Sequence, residues 1–294
     1  MQSKVVLHNG VEIYTESFGS ATNPALLLIM GATAQGVMWP DRFCEALAST
    51  GLFVIRYDHR DTGKSSRIDY EKNPYHLVDL AADALSILDA YEIDAAHWVG
   101  ASMGSFVAQM NAIYNQHRVL SLTCIMSSPN HLVFVDGFEG RDVSHHGLPA
   151  SDSGILKYYQ AILGVKAKTQ EEAAKIYKEI LRETMDVPDH LVETRIFEGR
   201  ILKRLKSKYH IHNHSLALAD SPSIMEYLGS ITAPTLIIHG SEDYILPTAH
   251  GRKLATLIPN AKFIEYEHMG HCFTEKVLTH LVADLKAQNS SIKT

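Results

Sequence analysis

One serine of the sequence lies between two glycines in a pattern typical of an activated nucleophile. The pentapeptide Gly100-Ala101-Ser102-Met103-Gly104 follows an apolar run and precedes a helical pattern. A serine in such a tight strand-to-helix turn needs glycine on both sides, because larger side chains would collide with the neighbouring strand and helix. A serine hydroxyl is a weak nucleophile, so this interpretation also requires a base and a group that orients the base.

Candidates for both groups follow in the order Ser, Asp, His. Asp243 and His271 each come shortly after a strand-like run in the last quarter of the chain. In this arrangement His271 removes the proton of Ser102, and Asp243 holds the imidazole in the required tautomer. The residues alone leave two alternatives open, which are His268 as the base and Glu242 as the acid.

Short apolar runs predict the framework that positions these residues. Four runs of strand length do not alternate with polar residues, which is typical of parallel strands buried on both faces. A helical pattern over residues 77–88 lies between two of them, and such alternation predicts a doubly wound α/β sheet. Before them, Asn9-Gly10 separates two strand-like segments and predicts an antiparallel hairpin. The runs are Ala25–Met30, Leu52–Tyr57, Ala95–Val99 and Leu120–Met126, and strand patterns return at Pro234–His239 and Ala261–Tyr266.

A helix-rich stretch interrupts the strand pattern from about Asn130 to about Ser221. Such an excursion between two strands of one sheet predicts an inserted cap, so we expect a core of residues 1–129 and 222–294 and a helical cap of residues 130–221. Loops at the carboxyl ends of parallel strands form active sites, and the cap is therefore expected to roof Ser102. The predicted substrate pocket includes Gly31, Phe134, Phe138 and Tyr158, with Leu132, Leu156, Tyr159 and Phe197 as further apolar residues of the cap.

Composition excludes several classes of partner. The chain carries 33 Asp and Glu against 27 Lys and Arg, for a net charge of -6, which favours neither nucleic acid nor an anionic membrane surface. The N-terminal residues show no signal-peptide pattern, and no apolar run is long enough for a bilayer, so we expect a cytoplasmic protein. Cys44, Cys124 and Cys272 are odd in number and far apart, which predicts reduced thiols. Oligomeric state is not predicted by the sequence.

Five segments together make the sequence recognisable. Gly100–Gly104 matches a nucleophile elbow, His239–Asp243 an acid turn, and Gly270-His271 a histidine loop. With these motifs the chain resembles the α/β-hydrolase superfamily. Trp39–Phe43 and Arg56–Ser65 are similar to the aclacinomycin methylesterase group, whose members hydrolyse a methyl ester on a polyketide.

The resemblance is close over roughly residues 25–110 and 233–271 and weak in the cap. It implies an α/β-hydrolase fold and a serine carboxylesterase that acts on a small-molecule ester through an acyl-enzyme, with no cofactor and no metal ion. It also favours His271 over His268 and Asp243 over Glu242, because these positions match the motifs of the superfamily.

Two backbone N–H groups are candidates for stabilising the oxyanion. Met103 begins the helix after the nucleophile, so its N–H and the helix dipole point towards developing negative charge. Many relatives carry His-Gly after the third strand, whereas this chain has Met30-Gly31-Ala32. That match assigns the second donor to the N–H of Ala32. The absence of the histidine does not remove this donor, because the donating group belongs to the backbone.

The segment from Asp58 to Ser65 could indicate nucleotide binding, because Gly63-Lys64-Ser65 is similar to the end of a phosphate-binding loop. That motif requires a glycine five residues before Gly63, and this position is Asp58. We therefore reject nucleotide binding. We predict instead a polar turn after the fourth strand in which Arg60 bonds to nearby carbonyl groups.

Three histidines at alternate positions, His210, His212 and His214, could hold a metal ion, since His210 and His214 would share a helix face. No carboxylate or cysteine follows at close spacing, so we prefer a partly exposed polar helix. The basic residues before them are predicted to form a solvated helix face. They are Arg200, Lys203, Arg204, Lys206 and Lys208.

Two functions besides esterase remain as alternatives. A receptor-like or binding protein of the same fold keeps the triad but turns over slowly, and other triad enzymes cleave carbon–carbon bonds or catalyse oxygenation without a cofactor. Removal of halide and opening of epoxides are disfavoured, because those relatives use aspartate where this chain has Ser102.

Overall fold

The chain opens with an antiparallel hairpin at the predicted place. In the computed structural model, β1 (Gln2–His8) pairs with β2 (Val11–Phe18). Asn9 and Gly10 join them with φ angles of 48° and 79°, the left-handed backbone that a two-residue hairpin turn requires. The structure describes residues 1–163, 169, 171–172, 175–176, 203–204 and 212–290.

A mostly parallel sheet follows, and it confirms the predicted α/β class. Across the described residues the sheet has eight strands in the order β1-β2-β4-β3-β5-β6-β7-β8, and only the pairs of β2 with β1 and β4 are antiparallel. All residues of β3, β4 and β5 are buried, which explains why their sequences do not alternate. The strands after β2 are β3 (Ala25–Ile29), β4 (Phe53–Tyr57), β5 (Ala96–Ala101), β6 (Val119–Ile125), β7 (Thr235–Gly240) and β8 (Lys262–Tyr266).

Helices cover both faces of the sheet. They are α1 (Asp41–Ala48), α2 (Leu77–Ala90), α3 (Met103–Tyr114), α4 (Leu132–Phe138), α5 (Ser153–Leu163), α6 (Asn213–Ala219), α7 (Ala249–Leu257) and α8 (Glu275–Ser290). One apolar core contains side chains of α2, α3 and α7, and a second contains those of α1 and α8. The sheet is therefore doubly wound, and the loops at the carboxyl ends of its parallel strands are free to form a site.

Helices α4, α5 and α6 lie between β6 and β7 in the chain, within the predicted cap. Asp152 donates its N–H to the carbonyl of Tyr244 at 2.8 Å, and the Ser151 hydroxyl donates to the carbonyl of Ile245. These contacts attach the start of α5 to the loop after β7. The boundaries of the cap stay a prediction, and Phe197 and His210 lie outside the described residues. Within the described ranges no helix is both long and apolar enough to cross a membrane.

The predicted role of Arg60 is wrong. Its guanidinium binds the carboxylate of Asp83 through hydrogen bonds of 2.7 and 2.8 Å, rather than nearby carbonyls. Asp83 belongs to the buried face of α2 and is 1% exposed, so it needs a cation of its own. Arg67 is the arginine that donates to turn carbonyls, those of Thr62, Gly63 and Ser65.

The predicted solvated basic face is also wrong at Arg204. Its side chain is only 9% exposed, with its guanidinium 3.1 Å from Asp58 Oδ2 and 3.5 Å from Glu16 Oε2. The ring of Tyr14 stacks against it at 5.1 Å. Two buried carboxylates provide the attraction that the sequence pattern did not show. Lys203 beside it is exposed, and Arg200, Lys206 and Lys208 lie outside the described residues.

Candidate active site

Ser102 lies in a strained turn between β5 and α3. Its φ and ψ angles are 51° and −120°, a conformation that non-glycine residues rarely adopt and that costs about 1–3 kcal/mol. A Cβ on Gly100 would lie 2.3 Å from the carbonyl oxygen of Gly104, and one on Gly104 would lie 2.4 Å from that of Ile29. Neither position has room for a side chain, as the spacing of the two glycines predicts.

The loops after β7 and β8 bring a histidine and an aspartate to this serine. His271 Nε2 lies 3.0 Å from Ser102 Oγ, and His271 Nδ1 lies 2.8 Å from Asp243 Oδ2. A carboxylate can only accept at Nδ1, so this nitrogen carries the proton and Nε2 presents its lone pair to the serine hydroxyl. The arrangement is suited to proton transfer from Ser102 to His271.

Asp243 is held as an anion in a buried site. Its Oδ1 accepts the N–H groups of Ile245 and Leu246 at 3.0 and 2.9 Å, and His239 Nε2 lies 3.2 Å from Oδ2. Burial by itself raises the pKa of this carboxyl. The charge and hydrogen bond of His271 and the contact with His239 outweigh burial and lower the pKa below its ordinary range.

The two alternative residues form a second pair on the surface. His268 Nδ1 lies 2.8 Å from Glu242 Oε1, with the two side chains 80% and 47% exposed. The structure therefore brings His271 and Asp243 to Ser102 and directs His268 and Glu242 towards solvent.

The candidate oxyanion donors flank the serine. Met103 is the first residue of α3, and Gly31 leads into a turn at Ala32 and Thr33 shortly after β3. A Cβ on Gly31 would lie 3.1 Å from the Cβ of Ser102, so this glycine lets the turn approach the nucleophile. The next N–H, that of Thr33, donates to His214 Nδ1 at 2.8 Å.

The predicted pocket residues lie on α4 and α5. Phe134 and Phe138 are partly buried, and their rings stack with centroids 6.1 Å apart. Tyr158 is also partly buried, on α5. Tyr159 lies in the same helix, and its side chain is outside what the structure describes. The contribution of these rings to an acyl pocket stays a prediction.

His214 does not support a metal site shared with His210, and it lies on the buried side of the partly exposed helix α6. The residue is 1% exposed, and both ring nitrogens are engaged, Nδ1 by the N–H of Thr33 and Nε2 by the carbonyl of Arg60. Sequence reasoning also missed His59, whose Nε2 lies 2.9 Å from the carbonyl oxygen of Met30. No local motif identifies these two histidines, because their partners are distant or backbone groups.

One candidate metal cluster occurs among the described residues, formed by Asp136, His145 and His146. The Asp136 carboxylate already binds the guanidinium of Arg141. Asn130 Nδ2 lies 3.1 Å from His146 Nδ1, so this nitrogen accepts and Nε2 carries the proton that it donates to Asp136. The donor set fits an ion-paired surface cluster better than a metal ligand set.

Comparison with known proteins agrees with the fold. A family model described as alpha/beta hydrolase fold matches residues 24–154. Two curated relatives match nearly the whole chain, and each is 34% identical. They are the rhodomycin D methylesterase DnrP of Streptomyces peucetius, over 299 residues, and DauP of Streptomyces sp. (strain C5), over 292 residues, with 98% of each chain covered in both matches.

The chain therefore belongs to the α/β-hydrolase family. It is an enzyme that hydrolyses esters, as its two methylesterase relatives do. Among solved structures, the esterase EaEST from Exiguobacterium antarcticum superposes with a TM-score of 0.75 over the full length of both chains. At 17% identity that likeness shows the shared fold alone.

Proposed function

We propose that Ser102, His271 and Asp243 are the catalytic triad of this ester hydrolase. The observation that carries the proposal is the continuous hydrogen-bonded series from Ser102 Oγ to His271, at 3.0 Å, and from His271 to Asp243, at 2.8 Å. Nucleophile, base and orienting carboxylate are within hydrogen-bond reach of one another, which is the requirement of nucleophilic acyl transfer.

The reaction has two halves. Ser102 Oγ gives its proton to His271 Nε2 and attacks the ester carbonyl, and the tetrahedral intermediate collapses as the alcohol leaves with the proton from His271. Water then gives a proton to His271 and attacks the acyl-enzyme. The second tetrahedral intermediate collapses as Ser102 Oγ leaves with the proton from His271, which releases the acid, and Asp243 stabilises the imidazolium in both halves. These steps use the side chains of the chain itself, and the proposal includes no cofactor and no metal ion.

The oxyanion of each tetrahedral intermediate is proposed to bind the N–H groups of Met103 and Ala32. Met103 is supported by its place at the positive end of the twelve-residue helix α3. Ala32 is supported by its neighbours, because the N–H groups of the next two residues are engaged: that of Thr33 binds His214 and that of Ala34 donates to the carbonyl of Gly31 at 3.4 Å. Donors fixed in advance stabilise charge that develops only during the reaction.

The proposed substrate is a small-molecule carboxylic ester with a small alcohol group, such as a methyl ester. Two relatives at 34% identity are named for methylesterase activity on rhodomycin D. The helical insertion supports a roofed pocket, since α5 is attached beside the loop that carries Asp243. We propose Gly31, Phe134, Phe138 and Tyr158 as members of that pocket.

A panel of esters tests the substrate class. Methyl and p-nitrophenyl esters of short or cyclic acids are expected to turn over faster than p-nitrophenyl palmitate, and emulsified triolein is expected to be poor. Ser102→Ala is expected to lose at least about 10³-fold in kcat on the good esters with an unchanged melting temperature. A preference for triolein, with a rise in rate at the oil interface, would contradict the roofed pocket.

A cytoplasmic location is proposed with this function. It is supported by Cys44, Cys124 and Cys272, which are buried and reduced thiols, as is usual in reducing compartments. The net charge of -6 supports a small-molecule substrate rather than nucleic acid or an anionic membrane as the partner.

A further inference from the structure

Two buried histidines, His59 and His214, form hydrogen bonds to the backbone on either side of Ala32. Neither belongs to a catalytic motif of the sequence. His59 Nε2 lies 2.9 Å from the carbonyl oxygen of Met30, directly before the turn. His214 Nδ1 lies 2.8 Å from the N of Thr33, directly after Ala32. The two rings meet edge to face with their centroids 5.7 Å apart.

Each ring has a fixed role in these bonds. Thr33 can only donate through its N–H, so His214 Nδ1 is the acceptor and Nε2–H donates to the carbonyl of Arg60 at 2.9 Å. The carbonyl of Met30 can only accept, so His59 donates through Nε2. Burial lowers the pKa of His59 to about 3 and that of His214 to about 4, so both rings stay neutral and keep these roles at neutral pH.

The backbone at this place needs such support. Thr33 has a φ of 63°, and a β-branched residue in the left-handed region is strained. Farther along the same loop, Asp58 Oδ1 accepts the N–H of Gly36 at 2.8 Å. The loop is therefore held before, directly after and beyond Ala32, and three of the groups involved come from the consecutive residues 58–60.

We propose that His214 is a positioning residue for the oxyanion site, which holds the N–H of Ala32 towards the reacting carbonyl by fixing Thr33. The inference rests on the proposed function, because it needs Ala32 as an oxyanion donor. His214 lies on α6, at the end of the insertion. We expect it to contribute to stabilisation of the transition state and not to binding of the ground-state ester. Loss of an entire oxyanion donor costs about 10²–10³-fold in kcat, and a displaced donor costs part of that.

Two substitutions of His214 separate its two hydrogen bonds. In His214→Asn, Oδ1 takes the place of Nδ1 and keeps the bond from Thr33 while the bond to Arg60 is lost. In His214→Gln, Nε2 takes the place of the ring Nε2 and keeps the bond to Arg60 while the acceptor for Thr33 is lost. Both variants remove the imidazole and one hydrogen bond, so they are matched for general damage to the fold.

The test compares kcat, KM and the affinity for a trifluoromethyl ketone, whose tetrahedral adduct with the nucleophile carries an oxyanion. His214→Gln is expected to lower kcat by about tenfold or more with KM within about twofold, and to weaken the ketone in parallel. His214→Asn is expected to retain at least about a third of kcat. Equal losses in both variants, or a change in KM alone, would overturn the proposal.

Ser102→Ala in the same assay keeps this test separate from that of the proposed function. If Ser102→Ala retains wild-type turnover, the proposed function fails. If Ser102→Ala is inactive and the Gln and Asn variants behave alike, only the role of His214 fails. Should His214→Gln not fold, the Asn variant decides alone, since a kcat loss of tenfold or more at unchanged KM contradicts the dependence on Thr33.

Discussion

Two histidine–carboxylate pairs lie side by side in the loops after β7 and β8, and their contact distances are equal. His271 meets Asp243 at 2.8 Å, and His268 meets Glu242 at 2.8 Å. The first pair has side chains 12% and 0% exposed, whereas those of the second are 80% and 47% exposed. The first pair also has Ser102 as a third partner, on the far side of the imidazole.

If the proposed triad is right, contact between a histidine and a carboxylate does not by itself make a catalytic pair. Water screens the charges of the exposed pair, and such pairs contribute little. The buried pair acts in a medium of lower dielectric, where Asp243 is further fixed by two backbone N–H groups and can stabilise an imidazolium strongly. In the proposed triad, His271 Nε2 accepts the proton of Ser102, so stabilising the imidazolium also activates the serine hydroxyl.

The largest effect is expected from removing the buried imidazole. His271→Ala should lower kcat by at least about 10⁴-fold, because Ser102 then has no base. His268→Ala is the matched control and should remain within about twofold of the wild type, since its ring faces solvent. Steady-state kinetics on one p-nitrophenyl ester measures both. A large loss with His268→Ala and a small one with His271→Ala would reverse the comparison.

The carboxylates should differ in the same way. Asp243→Asn should lower kcat by about 10⁴-fold, because an amide that donates to Nδ1 stabilises the wrong tautomer of His271. Glu242→Gln removes a charge from the surface pair and should change kcat by less than about twofold. The two variants are isosteric with the wild type, and their melting temperatures check that the fold is intact. Similar kinetics in both would remove the distinction between the pairs.

A smaller effect is expected on the pH dependence of stability, and it comes from the buried ring of His214. Below pH about 6.5 the unfolded chain protonates His214, whereas the folded chain does not until about pH 4, so stability is lost as the pH falls. His214→Asn should reduce the slope of unfolding free energy against pH by about 1.4 kcal/mol per unit in this window. Urea unfolding at several pH values measures the slopes, and equal slopes in the wild type and His214→Asn would contradict the burial argument.

The sequence predicts those parts of the molecule whose constraints are local. Buried parallel strands need continuous apolar runs, and each strand from β3 to β8 begins and ends within two residues of its predicted run. The turn at Ser102 needs glycine at two fixed offsets, and the structure shows the crowding that excludes larger residues. Asp243 and His271 are identifiable because each follows a strand whose end must reach the same edge of the sheet.

The sequence predictions that differ from the structure concern polar residues whose partners are distant in the chain. Thr33 and His214 are 181 residues apart, and the acceptor role of His214 depends on a backbone N–H that no sequence pattern marks. Asp83 lies within an apolar helix face, so periodicity gives no sign of its bond to Arg60. Arg204 lies within a run of basic residues whose pattern is that of a solvated face. In each case tertiary contacts decide which polar residue is buried.

Covalent labelling shows which serine of the chain is the activated one. A fluorophosphonate phosphonylates an activated serine, so we expect one label per chain, on Ser102. Ser102→Ala should abolish the label, and Ser105→Ala, three residues farther along α3, should keep it. Peptide mass mapping locates the site. A label on another residue, or equal labelling of Ser102→Ala and the wild type, would contradict the assignment of Ser102 as the nucleophile.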